Sequence, residues 1–303
     1  MITRDPDAFL RFARGCAPDF GPATAKAAFL VAPEGFARAE QSAADNRYMA
    51  GADDFDAARA LVQHRALQAA MAEILPTVCF PGDRRAPDGL FPNNAFATVP
   101  GRLVVGRMRH PVRQREAART DIRGFFAEVL GYAVEDLSAQ PHPCELTGAL
   151  VIDRARGLGF CGLSERCDAE GAALMHHAFG LRATLLFELA PGEYHTNVVL
   201  AVLAGRAALL CDDGLADPRV AAAIAALYAP HVARLGPGER ASFAGNALAL
   251  SAGTVWMSEA GGAALAPPHR DALARAGFGI RTVPLDAIEA GGGSLRCCIA
   301  EIY

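Results

Sequence analysis

Apolar and polar positions divide the chain into two kinds of segment, and each kind predicts a different element. Longer segments carry apolar residues at helical spacing or open with a helix-start signal, such as an aspartate followed by proline. They predict helices over about residues 54–75, 114–130 and 168–180, a fourth that opens at Asp217-Pro218, and a fifth from Pro267-Pro268 to just before Gly277.

Short apolar or alternating runs between these helices predict strands. Many of the runs come in pairs around a glycine-containing turn, as the strands of β-hairpins do. The predicted strands cover residues 27–31, 77–80, 95–99, 102–106, 149–152, 183–187, 197–202, 206–211, 254–257 and 295–302.

The order of these elements indicates a repeat. Helix starts recur about every 50 to 60 residues, a period typical of arrays of similar units. Five strand–strand–helix–strand units fill the chain, and no G-x-G-x-x-G fingerprint of a doubly wound sheet is present. The sequence therefore predicts an α/β fold in which five ββαβ units form a five-bladed α/β propeller.

Composition, charge and cysteine spacing limit the classes of protein to which this chain can belong. Of the 303 residues, 52% are hydrophobic and 20% are charged, as in globular proteins, and the net charge of −4 excludes a basic nucleic-acid surface. No apolar run reaches the roughly 18 to 20 residues of a membrane span, and no secretory signal opens the chain. The 8 cysteines contain no C-x-x-C pair, so we expect reduced thiols in a cytoplasmic protein without zinc clusters.

The C-terminal segment GGGSLRCCIAEIY carries the strongest chemical signal. Glycines 291–293 suit a tight turn or a close approach to a ligand. In the strand predicted to follow, Cys297 and Cys298 would point to opposite faces, one toward a pocket and the other toward the core. Taken alone, the pair also fits two small buried hydrophobic residues.

Two further residues stand where predicted strands begin. His195 follows a Gly-Glu-Tyr turn and opens a strand, a good position for a general acid or base. Glu145 precedes a Thr-Gly step and another apolar strand, which would place its carboxylate at a strand mouth. A single histidine or glutamate of this kind also fits a structural role.

The remaining candidates lie in loops. Asp88, Asn93 and Asn94 crowd a Pro/Gly-rich loop before a strand, Arg113 opens the next predicted helix, and Arg166 follows a Gly-Leu-Ser turn. A turn-forming Asp/Asn cluster and solvated arginines are the alternative interpretation.

Taken together, the motifs F-P-N-N, E-x-T-G, G-L-S-x-R, Y-H-T-N-V, F-A-G-N and G-G-G-S-x-R-C resemble the guanidine-modifying (pentein) superfamily in order and spacing. That superfamily holds arginine deiminases, dimethylarginine dimethylaminohydrolases and amidinotransferases. The chain most resembles the arginine-deiminase-related proteins that include citrulline-utilisation hydrolases, and some motifs also look like dimethylarginine dimethylaminohydrolase. The resemblance implies a single catalytic propeller domain over residues 26–303, after an N-terminal extension over residues 1–25.

By motif position, the resemblance implies roles for individual residues. Cys297 matches the family's nucleophile and His195 its general acid/base. Glu145 matches the carboxylate that orients the histidine and the substrate, and Asp88 matches a substrate-binding aspartate. Neither a metal nor an organic cofactor is implied.

The resemblance also places Arg113 and Arg166 near the substrate's α-carboxylate. Two departures bear on the substrate, because Asn94 and Asn197 stand where arginine deiminases carry aspartates. An amide offers both a donor and an acceptor, which suits the neutral ureido group of citrulline better than a guanidinium. We therefore expect both asparagines to bind substrate, most simply citrulline, which would be converted to ornithine, CO2 and ammonia.

Several alternatives remain open at this point. The substrate could instead be arginine or a methylarginine, and an amidinotransferase would pass the group to an amine rather than to water. A non-catalytic propeller that binds a partner would not need cysteine, histidine and carboxylate together, and nothing beyond the His-to-Cys order supports a cysteine protease. The expected partner is a small guanidino or ureido amino acid, with a homodimer as the possible assembly and no nucleic acid or membrane.

Overall fold

The computed structural model describes all residues from Met1 to Tyr303 and contains short strands and helices in alternation. The strands are β1 (Ile2–Thr3), β2 (Ala27–Val31), β3 (Thr77–Phe80), β4 (Phe96–Val99), β5 (Arg102–Val105), β6 (Ala133–Asp136), β7 (Leu150–Asp153), β8 (Leu158–Leu163), β9 (Ala183–Glu188), β10 (Leu200–Leu203), β11 (Ala207–Leu210), β12 (Val232–Arg234), β13 (Leu248–Ser251), β14 (Thr254–Ser258), β15 (Gly279–Val283) and β16 (Ala300–Ile302).

The helices connect these strands. They are α1 (Pro6–Arg14), α2 (Glu40–Ala43), α3 (Ala57–Ala72), α4 (Pro111–Ala117), α5 (Thr120–Gly124), α6 (Leu146–Ala149), α7 (Ala169–Ala178), α8 (Thr196–Val199), α9 (Pro218–Tyr228), α10 (Pro237–Ala241), α11 (Glu259–Ala264), α12 (Pro267–Arg275), α13 (Asp286–Glu289) and α14 (Leu295–Cys298). No helix is both long and apolar enough to cross a membrane.

Five small sheets share one plan. Their strand orders are β16-β2-β3, β4-β5-β6, β7-β8-β9, β10-β11-β12 and β13-β14-β15, and β1 adds to the edge of the third sheet. In each sheet the first pair is antiparallel and the second pair is parallel. The mixed α/β class and the repeated unit predicted from the sequence are therefore present, and the last strand of the chain completes the first sheet.

The predicted long helices are present, with local differences. α3, α7, α9 and α12 lie within the predicted segments, and Asp168 and Asp217 cap α7 and α9 with their carboxylates. The segment 114–130 is not one helix: α4 and α5 are separate, and a π-helical turn over Phe125–Val129 follows. α4 ends because the backbone leaves the helical conformation at Ala118.

The strand assignment was wrong where it matters most for the site. Cys297 and Cys298 belong to the one-turn helix α14, and the strand begins only at Ala300. Likewise, residues 197–199 lie in α8 rather than in a strand. β-Branched and apolar residues favour strands only weakly, and a single buried turn that packs against its neighbours can override that preference.

A short helical turn precedes the first strand in four of the five units. A 3-10 turn over Pro92–Asn94 precedes β4, and α6, α8 and α14 precede β7, β10 and β16. These turns contact one another across units: α6 touches both α8 and the Pro92–Asn94 turn, which also touches α14. The repeat therefore gathers the starts of the first strands at one place in the molecule.

The N-terminal residues belong to the same core. β1 pairs in parallel with β9, and α1 packs against α9. Phe9 and Ala13 of α1 are buried among side chains of the third and fourth sheets, and the Phe9 ring meets the Phe160 ring edge-on at 5.4 Å.

Candidate active site

Polar side chains from four units converge at the gathered turns. Glu145 and His195 are the residues immediately before α6 and α8, Asn94 closes the 3-10 turn, and Cys297 lies in α14. Asn246 occupies the matching position in the remaining unit, just before β13. Each of the five units thus supplies a polar residue from the few positions before its first strand.

The histidine and the glutamate form a buried pair. His195 Nε2 lies 2.9 Å from Glu145 Oε2, and both side chains are fully buried. The other ring nitrogen, Nδ1, is buried without a hydrogen-bond partner. The Tyr194 ring lies 4.4 Å from the imidazole, centroid to centroid, which limits how the ring can move.

Glu145 is held as a carboxylate. Arg113 and Arg166 donate to Oε2 at 3.2 and 3.3 Å, and the backbone N–H of Arg109 donates to Oε1 at 3.0 Å. Burial raises the pKa of this carboxyl, but the two guanidinium groups and His195 outweigh burial and hold the pKa well below its usual range. Glu145 is therefore ionised at neutral pH and can orient an imidazole.

His195 is neutral in the unliganded site. Burial lowers the pKa of its imidazole, Glu145 acts in the opposite direction, and Arg166 and Arg113 lower the pKa further. The net shift is downward, so the ring is able to accept a proton from a neighbouring acid at neutral pH.

Cys297 is buried among amides. Asn246 Nδ2 lies 3.4 Å from its sulfur, and the Asn197 side chain lies 3.8 Å away through Nδ2 and 3.9 Å away through Oδ1. Burial raises the pKa of the thiol, whereas the Ser294 backbone, Asn246 and the cations Arg296 and Arg113 lower it in part. Without a ligand, the sulfur therefore carries its proton at neutral pH.

A small cavity opens beside this sulfur. It is lined by five of the predicted site residues, whereas the other three, His195, Glu145 and Asn197, are not among its lining residues. Glu145 accepts hydrogen bonds from Arg113 and Arg166, and these two arginines line the cavity. The lining residues are Ser42, Asn46, Met49, Asp88, Phe91, Asn94, Arg113, Arg166, Tyr194, Gly291, Gly293 and Cys297.

Arg113 and Arg166 are not solvated arginines. Both are almost fully buried, and carboxylates occupy much of their hydrogen-bonding capacity. Arg113 forms a two-point ion pair with Glu116 at 2.9 and 2.8 Å, and Arg166 Nε donates to Asp45 at 2.9 Å. This arrangement fixes the planes of both guanidinium groups against Glu145.

Asp88 and Asn94 occupy the same wall. Ser42 Oγ donates to Asp88 Oδ2 at 2.5 Å, while Oδ1 is buried without a partner. With its amide oxygen toward Arg113, Asn94 accepts from both terminal nitrogens at 3.2 Å and donates to Asn93 at 2.9 Å. Asp88 thus brings an unpaired carboxylate oxygen to the wall of this cavity.

A segment around α2 also lines the cavity, although the sequence patterns did not predict a part for it in the site. Ser42, Asp45, Asn46 and Met49 come from an irregular stretch around α2 that no strand pattern marks. The scarcity of asparagine is one signal in the sequence that could have identified this segment. The chain has only five asparagines, and all of them are buried in or around the candidate site: Asn46, Asn93, Asn94, Asn197 and Asn246. No group of three or more His, Cys, Asp or Glu side chains is arranged to hold a metal ion.

Solved structures with the same fold include enzymes of arginine metabolism. The N-terminal domain of ArgZ, an arginine dihydrolase from Cyanobacteria, matches with a TM-score of 0.80 and 20% identity over 91% of this chain and 98% of that domain. AgrE in complex with L-arginine matches with a TM-score of 0.79 and 20% identity over 91% of this chain, which spans 40% of that protein. A dimethylarginine dimethylaminohydrolase carrying an S-methyl-L-thiocitrulline adduct matches with a TM-score of 0.69 and 20% identity, over 92% of this chain and all (100%) of that one.

A search of curated proteins gave no significant match. The family model described as N,N dimethylarginine dimethylhydrolase, eukaryotic, matches residues 32–303, nearly the whole chain. This match and the shared fold confirm the predicted superfamily and the prediction of a hydrolase that acts on amidino C–N bonds. The chain therefore belongs to the N,N-dimethylarginine dimethylhydrolase family of pentein-fold, guanidino-modifying hydrolases.

Proposed function

We propose that this protein is a cysteine hydrolase that attacks the ureido or guanidino carbon of an arginine-related amino acid. One observation carries the proposal: the His195–Glu145 pair, at 2.9 Å, is hydrogen-bonded to Arg113 and Arg166, and these two arginines line the same small cavity as Cys297. A thiol, an imidazole and an orienting carboxylate are the groups that nucleophilic catalysis at a planar carbon requires.

The first half of the reaction forms a covalent adduct. The Cys297 thiol gives its proton to His195, and the resulting thiolate attacks the planar carbon of the substrate. The sulfur–carbon bond forms as a pair of electrons moves onto the substrate's oxygen or nitrogen. His195, now an imidazolium stabilised by Glu145, protonates the departing amine, and the carbon–nitrogen bond breaks.

The second half releases the enzyme. His195, neutral again, takes a proton from water, and the hydroxide adds to the carbon of the adduct. The carbon–sulfur bond then breaks, and Cys297 leaves as a thiolate that regains its proton from His195. A ureido substrate such as citrulline would give ornithine and a carbamate that breaks down to CO2 and ammonia.

The asparagine side chains near the cavity support a ureido group, rather than a guanidino group, as the part of the substrate that reacts. Asn94 lines the cavity and the Asn197 amide lies 3.8 Å from the sulfur, both as neutral groups, and the negative charge of Glu145 is offset by Arg113 and Arg166. A neutral ureido group needs both donors and acceptors, which amides supply without an excess of charge. We therefore propose citrulline as the substrate, with Asn94 and Asn197 binding its ureido group.

One observation favours a guanidino substrate instead. The free Oδ1 of Asp88 is a buried acceptor at the cavity wall, and a guanidinium would satisfy it with a charge-assisted hydrogen bond. Structures of ArgZ, an arginine dihydrolase, were determined with its substrate and with its product, and a structure of an AgrE mutant was determined with L-arginine. Arginine or a methylarginine is therefore the second candidate, with Asp88 as its binding residue.

Arg113 and Arg166 would serve both the substrate and the catalytic pair. Both line the cavity, so their positive charges would attract a substrate α-carboxylate, and Arg166 Nη1 has one N–H beyond the one that binds Glu145. Their contacts with Glu145 keep that carboxylate ionised and in place. We also propose that residues 26–303 act as one domain, with the five sheets as blades of a single propeller around this site.

Incubation with citrulline, arginine and methylated arginines distinguishes the substrates. Ornithine and ammonia released from citrulline, measured by mass spectrometry, are the expected result. Citrulline formed from arginine or methylarginine would select the guanidino reaction. Transfer of the amidino group to an added amine, without ammonia release, would contradict hydrolysis.

A further inference from the structure

The F-A-G-N segment, residues 243–246, forms a tight turn that places the Asn246 amide beside the Cys297 sulfur. Phe243 adopts a left-handed backbone conformation with φ of 57°. Gly245 has no room for a side chain, because a Cβ there would lie 2.5 Å from the carbonyl oxygen of Val198. The turn therefore packs directly on the residues that follow His195 and delivers Asn246, fully buried, to the sulfur of Cys297.

The orientation of the Asn246 amide is fixed by its partners. Its Oδ1 accepts from the backbone N–H of Arg296 at 2.9 Å, which only an oxygen can do. Its Nδ2 therefore faces the other way, where it donates to the carbonyl oxygen of Asn197 at 2.9 Å and lies 3.4 Å from the Cys297 sulfur. One N–H serves the carbonyl, and the other faces the sulfur and the side-chain oxygen of Asn197, each 3.4 Å from Nδ2.

The Asn246 amide makes the shortest hydrogen bond to this sulfur. The Asn197 amide is farther away, at 3.8 Å, and one of its N–H groups donates to the Thr147 carbonyl oxygen at 3.1 Å. A buried thiolate without a donor would be strongly disfavoured, because burial penalises the charged form. The sulfur therefore depends on a fixed donor if it is to lose its proton inside this site.

We propose that Asn246 is a further catalytic residue, whose amide N–H stabilises the Cys297 thiolate before attack and again when the sulfur leaves the adduct. The inference rests on the function proposed above. When the thiol proton passes to His195, the neutral N–H···S contact becomes a charge-assisted hydrogen bond. This hydrogen bond weakens when the carbon–sulfur bond forms and is restored when that bond breaks. The amide therefore stabilises the thiolate at both points of the reaction, before attack and after release.

Two substitutions separate this role from a structural one. Asn246→Asp keeps an oxygen to accept from the Arg296 N–H but removes the amide donor, and Asn246→Leu removes both groups. Each is made together with Cys298→Ala, and alkylation of Cys297 by iodoacetamide is followed against pH by peptide mass spectrometry, without substrate. We expect the midpoint of alkylation to rise by about one to two pH units in both variants, as the loss of a hydrogen bond to a charged group implies.

A matched control is available at another thiol. Gln140 Nε2 lies 3.5 Å from the Cys144 sulfur, so Gln140→Glu makes the same kind of change away from the site and should leave the Cys297 midpoint unchanged. If either Asn246 variant keeps the parent's midpoint, the thiolate role is contradicted and the amide only holds the Arg296 backbone. Because the assay contains no substrate, an absence of turnover on every candidate would contradict the proposed function without affecting this result.

Discussion

Replacing Cys297 by alanine should reduce turnover by roughly 10⁴- to 10⁶-fold, the effect of removing the nucleophile of a catalytic triad. The sulfur is the group that forms the covalent bond, and alanine has nothing to replace it. The loss should be in kcat, because the amides and arginines that bind the substrate remain in place. Steady-state assays on the best substrate of the panel measure the change.

The neighbouring cysteine is the natural control. Cys298 is also fully buried, but it packs in the apolar core and does not line the cavity. Cys298→Ala should therefore keep most of the activity and lose only the stability expected of a small core truncation. If Cys298→Ala were inactive and Cys297→Ala active, the assignment of the nucleophile would be wrong.

Gly148→Ala should reduce kcat/KM by about 100-fold or more, as a small displacement of a catalytic group does. A Cβ at Gly148 would lie 2.7 Å from His195 Cε1, 2.8 Å from His195 Nδ1 and 2.5 Å from the Asn94 amide. Such distances are too short for any real contact, so the imidazole and the Asn94 amide have to shift from the positions that they hold against Glu145 and Arg113. The overpacked site should also lose about 1 to 3 kcal/mol of unfolding free energy.

Gly238→Ala provides the matched change in another one-turn helix. Gly238 lies in α10, and nothing stands within 4 Å of a Cβ built there. Alanine should leave activity unchanged and should not lower thermal stability, because it is the better helix former. Gly148→Ala at full activity would show that His195 needs no fixed position, which contradicts its role in proton transfer.

The sequence predicted the site largely because the fold is a repeat. Glu145, His195 and Cys297 each precede an apolar run, and that position holds in the structure although the runs begin as helical turns. The periodic helices and the glycine-containing hairpins identified the unit, and the shared unit explains why residues far apart in sequence arrive at one end of their strands. Local pattern could not distinguish a buried helical turn from the first residues of a strand.

Other features depended on tertiary contacts that no local pattern encodes. Arg166 is buried because Asp45, 121 residues earlier in the chain, pairs with it. The covering segment around α2 has no periodicity, since it packs as irregular chain over the cavity. His176, in the last turn of α7, is buried and lies 2.8 Å from the Thr184 hydroxyl, a contact between two elements that no local pattern predicts.

Acid-quenched peptide mapping during turnover tests the central claim most directly. The account predicts a substrate-derived adduct on the peptide that contains Cys297, absent from Cys297→Ala and absent without substrate. The mass of the adduct also identifies the group that was transferred, carbamoyl from a ureido substrate or amidino from a guanidino one. Steady turnover with no adduct on Cys297, or an adduct on another cysteine, would contradict the account.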